Sequence, residues 1–270
     1  MKAFVIHFLF EFRAGIRNKT LLLMNYLLPL GFYLAMGVLM TGINPLFRET
    51  MIPAMIIFAV LASTMLGLPE PLVSAREAGI FRSYKINGVS ALPIIVIPAI
   101  TTIFHTIIAS LVIIITAPIF FAAPLPEDWL SFILVFILMT FASAGLGALI
   151  GVISSNSRVT VLWSQLVYLP SVVLGGLMLP YSMLPGGMQK VAQLLPATHA
   201  MNGFRGLGQN LETAFDPFWS VIILLAGGIL SFALALYLFA WNDSHTGRKR
   251  YPQLAFLALL PYLLGILFLG

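Results

Sequence analysis

The sequence predicts an all-α polytopic membrane protein. Six transmembrane helices, a cytoplasmic interfacial helix at the N-terminus and short re-entrant helices on the outer face are expected. Three observations carry this. The chain of 270 residues is 60% hydrophobic and only 9% charged, against roughly 25% charged in ordinary soluble domains. Its mean hydropathy is +1.02, more apolar side chain than a soluble fold buries. The apolar runs are continuous over about 20 residues, the length of a spanning helix, whereas barrel strands alternate over about 10.

The first element is "MKAFVIHFLFEFRAGIRNKT". Its apolar core is short, Glu11 and Arg13 follow at once, and no small-residue cleavage site appears, so it does not read as a signal peptide. On a helical wheel Phe4, Val5, Phe8, Leu9, Phe12 and Ile16 share a broad face. His7, Glu11, Arg13 and Arg17 lie opposite, with Ile6 and Phe10 as exceptions. That pattern predicts a helix lying in the membrane interface.

Six spans follow, at about 21–42, 52–73, 91–121, 129–153, 160–180 and 218–241. The third is long for a bilayer and carries Pro93, Pro98 and Pro118, which predicts tilt or a kink. Basic residues set the orientation. One set of segments holds Lys2, Arg13, Arg17, Lys19, Arg76, Arg82, Lys85, Arg158, Arg248, Lys249 and Arg250. The alternate set holds only Arg48, Lys190 and Arg205, so the N-terminus and residues 74–90 are expected in the cytoplasm. The net charge of +5 therefore reads as topology, not as nucleic-acid binding. A seventh apolar run, 254–270, is split by Pro261; a crossing and an interfacial hairpin are both open.

The chain lacks a GxxxxGK[ST] phosphate loop, an HExxH pair and a nucleophile elbow, and it has no cysteine. No cofactor or metal is expected. Energy for uphill transport would come from an ion gradient or from another subunit. Intramembrane polar groups are the default candidates for chemistry. Glu70 sits in "LPEPL" between Pro69 and Pro71, and His105 lies midway along the third span. The blander readings are a helix-end carboxylate near water and a histidine satisfied by a neighbouring helix. As functional sites they would suit a stand-alone ion-coupled carrier or channel, or, less well, an intramembrane hydrolase. Ser143, Gly147 and Gly151 recur every four residues, a small-residue stripe for close helix packing within the subunit or against a second copy.

The outer segment 181–217 is rich in Met, Leu, Gly and Pro. Two short amphipathic pieces, about 187–195 and 198–209, predict helices dipping back from the outer face, with Pro180, Pro185 and Pro196 at the bends. The stretch 74–90, "SAREAGIFRSYKINGVS", is a charged stub between two spans. On a wheel over 76–86, Ile80, Phe81 and Tyr84 form a narrow apolar sector that also contains Glu77; Arg76, Arg82, Ser83, Lys85 and Ile86 fill the rest. Such a helix can rest on the bilayer or dock into a partner's groove. Glu77 favours the partner. Asn87-Gly88 then turns the chain back.

This order of features resembles the membrane subunits of type-2 ABC exporters. The resemblance covers about 1–241. It rests on the amphipathic N-terminal helix, six spans, and an R-E-x-G signature at Arg76, Glu77 and Gly79, together with Gly176, Pro180, Leu184-Pro185, Pro196 and Arg205 in the outer segment. A Thr-Pro usual before the third span is replaced here by "INGVSALP". The resemblance implies that about 75–87 is a coupling helix, with Arg76, Glu77, Gly79, Ile80, Phe81, Arg82 and Tyr84 bearing on a separate ABC-type ATPase subunit. It implies re-entrant helices at about 181–212 and a second, identical or different membrane subunit. The location would be the plasma (inner) membrane, and the cargo drugs, lipid-linked glycans, peptides or other amphiphiles. The basic turn and apolar tail at 242–270 are not part of that plan.

Overall fold

In the computed structural model, residues 2–44, 47–241 and 251–269 are described, all helix and connecting turns. The basic cluster Arg248, Lys249 and Arg250 lies outside the described residues, as do the side chains of Lys2, Phe4, Val5 and His7. The helices run α1 Lys2–Arg17, α2 Lys19–Ile43 and α3 Phe47–Glu77, α4 Ile80–Ile86, α5 Ala91–Phe121, α6 Trp129–Ile153 and α7 Ser157–Leu174. They continue with α8 Gly186–Ala192, α9 Pro196–Gly203, α10 Pro217–Leu238 and α11, which is Pro252–Leu259 running on into Leu260–Leu269.

Five of these, α2, α3, α5, α6 and α10, are long and apolar enough to cross a bilayer. The expected fifth span, 160–180, is the 18-residue α7. It is less apolar than the five because Arg158, Ser164 and Gln165 interrupt it, and it stops at Leu174, short of 180.

Helix starts are marked by side-chain caps. Asn18 accepts bonds from the Thr20 and Leu21 amides, Asp128 from Leu130 and Ser131, Asn156 from Val159 and Asp216 from Phe218. Each satisfies amides that the first helical turn leaves without a partner. Hydrogen bonds from Ser131 hold the exposed Asp128 carboxyl below its usual range.

Helix α3 is the hub. Of its most apolar stretch 94% is buried inside the protein, against 22% for α2 and 33% for α5. Its neighbours include α5, α6, α7 and α2. It approaches α6 closely at the predicted stripe. A Cβ on Gly147 would collide with the Thr64 carbonyl oxygen, and one on Gly151 would stand 3.1 Å from the Pro69 carbonyl oxygen. The stripe of Ser143, Gly147 and Gly151 is buried within the subunit. Segments Leu23–Leu27 of α2 and Ala62–Gly67 of α3 are wound wider than an α-helix. They abut where buried Asn25 meets Gly67.

Candidate functional site

The stub is built from the end of α3, a sharp turn and α4. The wheel over 76–86 treats this stretch as one helix; Gly79 divides it. Gly79 adopts φ +72, a left-handed conformation that costs side-chain-bearing residues roughly 1–2 kcal/mol. Its amide donates to the Arg76 carbonyl at 3.0 Å and closes the end of α3. Helix α4 ends similarly. Gly88 has φ +74, its amide donates to Lys85 O, and the Val89 amide donates to Tyr84 O. The two bonds form the paired closure of a Schellman end.

The seven residues assigned to coupling separate into two groups. Arg76 is buried, 5% exposed. Its Nη1 donates to Val152 O at 3.0 Å and its Nη2 to Ser154 O. These are carbonyls at the C-terminal end of α6, where partial negative charge collects and a cation is stabilising. Phe81 is 4% exposed and packs against Phe239 beyond the end of α10, ring centroids 5.4 Å apart. Arg76 and Phe81 therefore tie the stub to α6 and α10. Tyr84 is half-buried; burial, then the nearby Glu11 carboxylate of α1, raise its hydroxyl above the usual range.

Glu77, Gly79, Ile80 and Arg82 are exposed, as are Lys85 and Ile86. Ile86 is 78% exposed. The outward face thus carries one acid, two bases and two isoleucines. It differs from the sector read off the wheel, because Phe81 turns inward and Ile86 outward.

The two intramembrane polar candidates are not brought together. Glu70 Oε1 accepts bonds from Ser74 Oγ at 2.7 Å and from Ser157 Oγ at 3.0 Å, joining α3 to the start of α7. His105 is 2% exposed. Its Nδ1 lies 2.6 Å from Tyr26 Oη, its ring stacks on Phe12 at 4.5 Å, and Gly15 passes over its Nε2. It fastens α1 against α5 and α2. Among the described residues no hydrogen bond links Glu70 to His105.

At the end of the molecule away from the stub, α9 is buried at every position. Pro196 occupies its first turn, where a missing amide costs nothing. Pro180 precedes the short turn Tyr181–Met183, and Pro185 precedes α8. Arg205 follows α9 and donates to the Glu212 carbonyl through Nη2 at 3.1 Å. A cavity of about 220 Å³ opens here between Tyr181, Thr198, Asn202, Arg205 and Phe215. His199 is fully buried, its Nε2 2.8 Å from Gln193 O. It faces Phe215 and Tyr262, a contact nothing in the local sequence announces.

The family model described as ABC-2 type transporter matches residues 3–208. The chain belongs to this family. A Bacillus subtilis (strain 168) protein named "Putative transport permease YvfS" is 23% identical over 240 residues, covering 83% of this chain and 91% of that protein. This ABC-2 permease is thus a membrane transport protein by family and by its apolar helices. The match includes the N-terminal helix, the stub and α9. The ABC-2 family typically pairs its permeases with an ATPase subunit.

Proposed function

We propose that this protein is the membrane-spanning permease subunit of an ATP-driven exporter, moving a hydrophobic or amphiphilic cargo outward. Residues 1–241 form the transporting unit with six crossings, α7 being the fifth. At 18 residues α7 rises about 27 Å, close to the hydrocarbon thickness of about 30 Å. The N-terminus and the stub face the cytoplasm, a placement supported by the distribution of basic residues. Two membrane subunits and two ATPase subunits make the working unit, in the plasma (inner) membrane.

The observation that carries this reading is the relation between α3 and the stub. The most enclosed of the five long apolar helices ends in exposed Glu77. A close-packed helix transmits displacement because its surroundings cannot deform gradually. Force applied at Glu77, Ile80, Arg82 or Ile86 therefore reaches the middle of the bundle. The partner ATPase seats on that outward face, while Arg76 and Phe81 hold the stub to the bundle.

The test is a mild-detergent pull-down of tagged protein from its native membrane, assayed for co-purifying ATP hydrolysis, beside a Glu77→Lys copy. Stoichiometric ATPase that is lost or uncoupled in the variant supports the reading. Transport that proceeds without any ATPase and responds to Glu70→Gln would overturn it in favour of a stand-alone ion-coupled carrier or channel.

A further inference from the structure

We infer that α11 is a seventh crossing, placing residue 269 on the opposite side of the membrane from the stub and clamping α9 from behind. The direction follows from pairs of contacts. Phe81 of the stub meets Phe239 just beyond α10, so that end of α10 lies at the stub. Further along α10, towards its start, a Cβ on Gly227 would meet Tyr262 Oη, and Gly265 lies against Ile223 Cδ1. A step back along α10 is a step forward along α11, so the two are antiparallel. Near the start of α11, Phe256 packs on Trp163, six residues into α7, with centroids 6.0 Å apart. Farther on, Tyr262 and Gly265 both reach His199 of α9, at the end away from the stub.

The backbone of α11 is long enough to cross. The first eight residues, Pro252–Leu259, form a 3₁₀ helix, which rises about 2.0 Å per residue, or about 16 Å. Leu260–Leu269 is ten residues of α-helix, about 15 Å at 1.5 Å each. Together they rise about 31 Å, against a hydrocarbon core of about 30 Å. Pro261 does not break this segment. It sits in the first turn of the α-helical part, where its missing amide is tolerated. Tyr262 is fully buried between α10 and His199, and Ala258 is buried too, while Leu267 and Phe268 are 76% and 80% exposed. One side of the segment thus packs on the protein and the other is apolar, as a peripheral crossing requires.

The absolute side rests on the cytoplasmic placement of the stub proposed above; the opposition of the two sides does not. The protein has no cysteine, so single replacements report position without background. Gly270→Cys, just past the end of the helix, and Ser83→Cys at an exposed site of the stub are treated in intact cells with a membrane-impermeant maleimide, before and after permeabilisation. The expected result is labelling of Gly270→Cys from outside and of Ser83→Cys only after permeabilisation. Labelling of both from one side overturns the crossing, as does a Gly270→Cys that stays unlabelled after permeabilisation and still reacts in detergent. Ser83→Cys labelled from outside with Gly270→Cys labelled only from inside preserves the crossing and overturns the orientation. An Ile223→Cys/Gly265→Cys pair checks the packing independently: it should form an oxidative cross-link in the membrane, and its absence in folded protein overturns the antiparallel placement.

Discussion

Arg76 and Val152 stand 76 positions apart in sequence and are joined by a 3.0 Å hydrogen bond from guanidinium to carbonyl. The same guanidinium reaches Ser154 O. A cation carried at the end of α3 therefore closes the end of α6. The first charged residue of the stub is thus one whose charge faces inward.

Arg76→Ala should remove this closure and leave buried carbonyls without partners. A loss of about 2–4 kcal/mol is expected, in the range for breaking a buried charged contact. Thermal unfolding in detergent measures it. Arg76→Lys should recover only part of the loss, because an ammonium lacks the planar fork that reaches separate carbonyls.

Glu77→Lys and Ile86→Asp change exposed groups on the stub and should leave thermal unfolding within about 0.5 kcal/mol of the parent. Both should reduce ATPase co-purification. A variant that instead fails to accumulate would show that its residue supports the fold.

Glycine substitutions separate packing from simple exposure. Gly147→Ala places a methyl group on the Thr64 carbonyl, so α3 and α6 must move apart; strongly reduced accumulation is expected. Gly79→Ala is limited by φ +72 and should cost roughly 1–2 kcal/mol. Gly186→Ala, with open space around it, should be silent. Measured side by side, the three should rank in that order.

Tyr26→Phe removes the hydroxyl that bonds His105 while keeping the ring. About 1 kcal/mol of lost stability is expected. Its effect should concentrate on α1, as faster protease cleavage there.

His199 is fully buried, its Nε2 2.8 Å from Gln193 O and its ring facing Phe215 and Tyr262. His199→Leu should leave the buried Gln193 carbonyl without this partner and cost about 1–3 kcal/mol, read as a lower thermal midpoint in detergent. An unchanged midpoint would show that the bond adds nothing to the packing of α9.

The sequence alone determined what a solvent boundary writes into composition. Long apolar runs can hide backbone polar groups only as helices, and so the positions of α2, α3, α5, α6 and α10 were readable. Gly88, after Asn87, was readable as a break because few other residues accept its angles, whereas Gly79 was read through as helix. The two short helices before α10 also followed from proline and glycine punctuation. Tertiary structure decided which way individual side chains face. A helical wheel knows the angle between Phe81 and Ile86, but not where the neighbouring helices stand; the ends of α6 and α10 draw Arg76 and Phe81 inward and leave Ile86 outside. Likewise His105 and Glu70 looked alike as isolated polar groups until Tyr26 and Ser157, from distant parts of the chain, supplied their partners. The length of α11 was the last such decision. Seventeen apolar letters count as too few for a comfortable crossing at α-helical rise, and only the backbone could choose the longer 3₁₀ rise, stabilised by packing on α10 that no local pattern encodes.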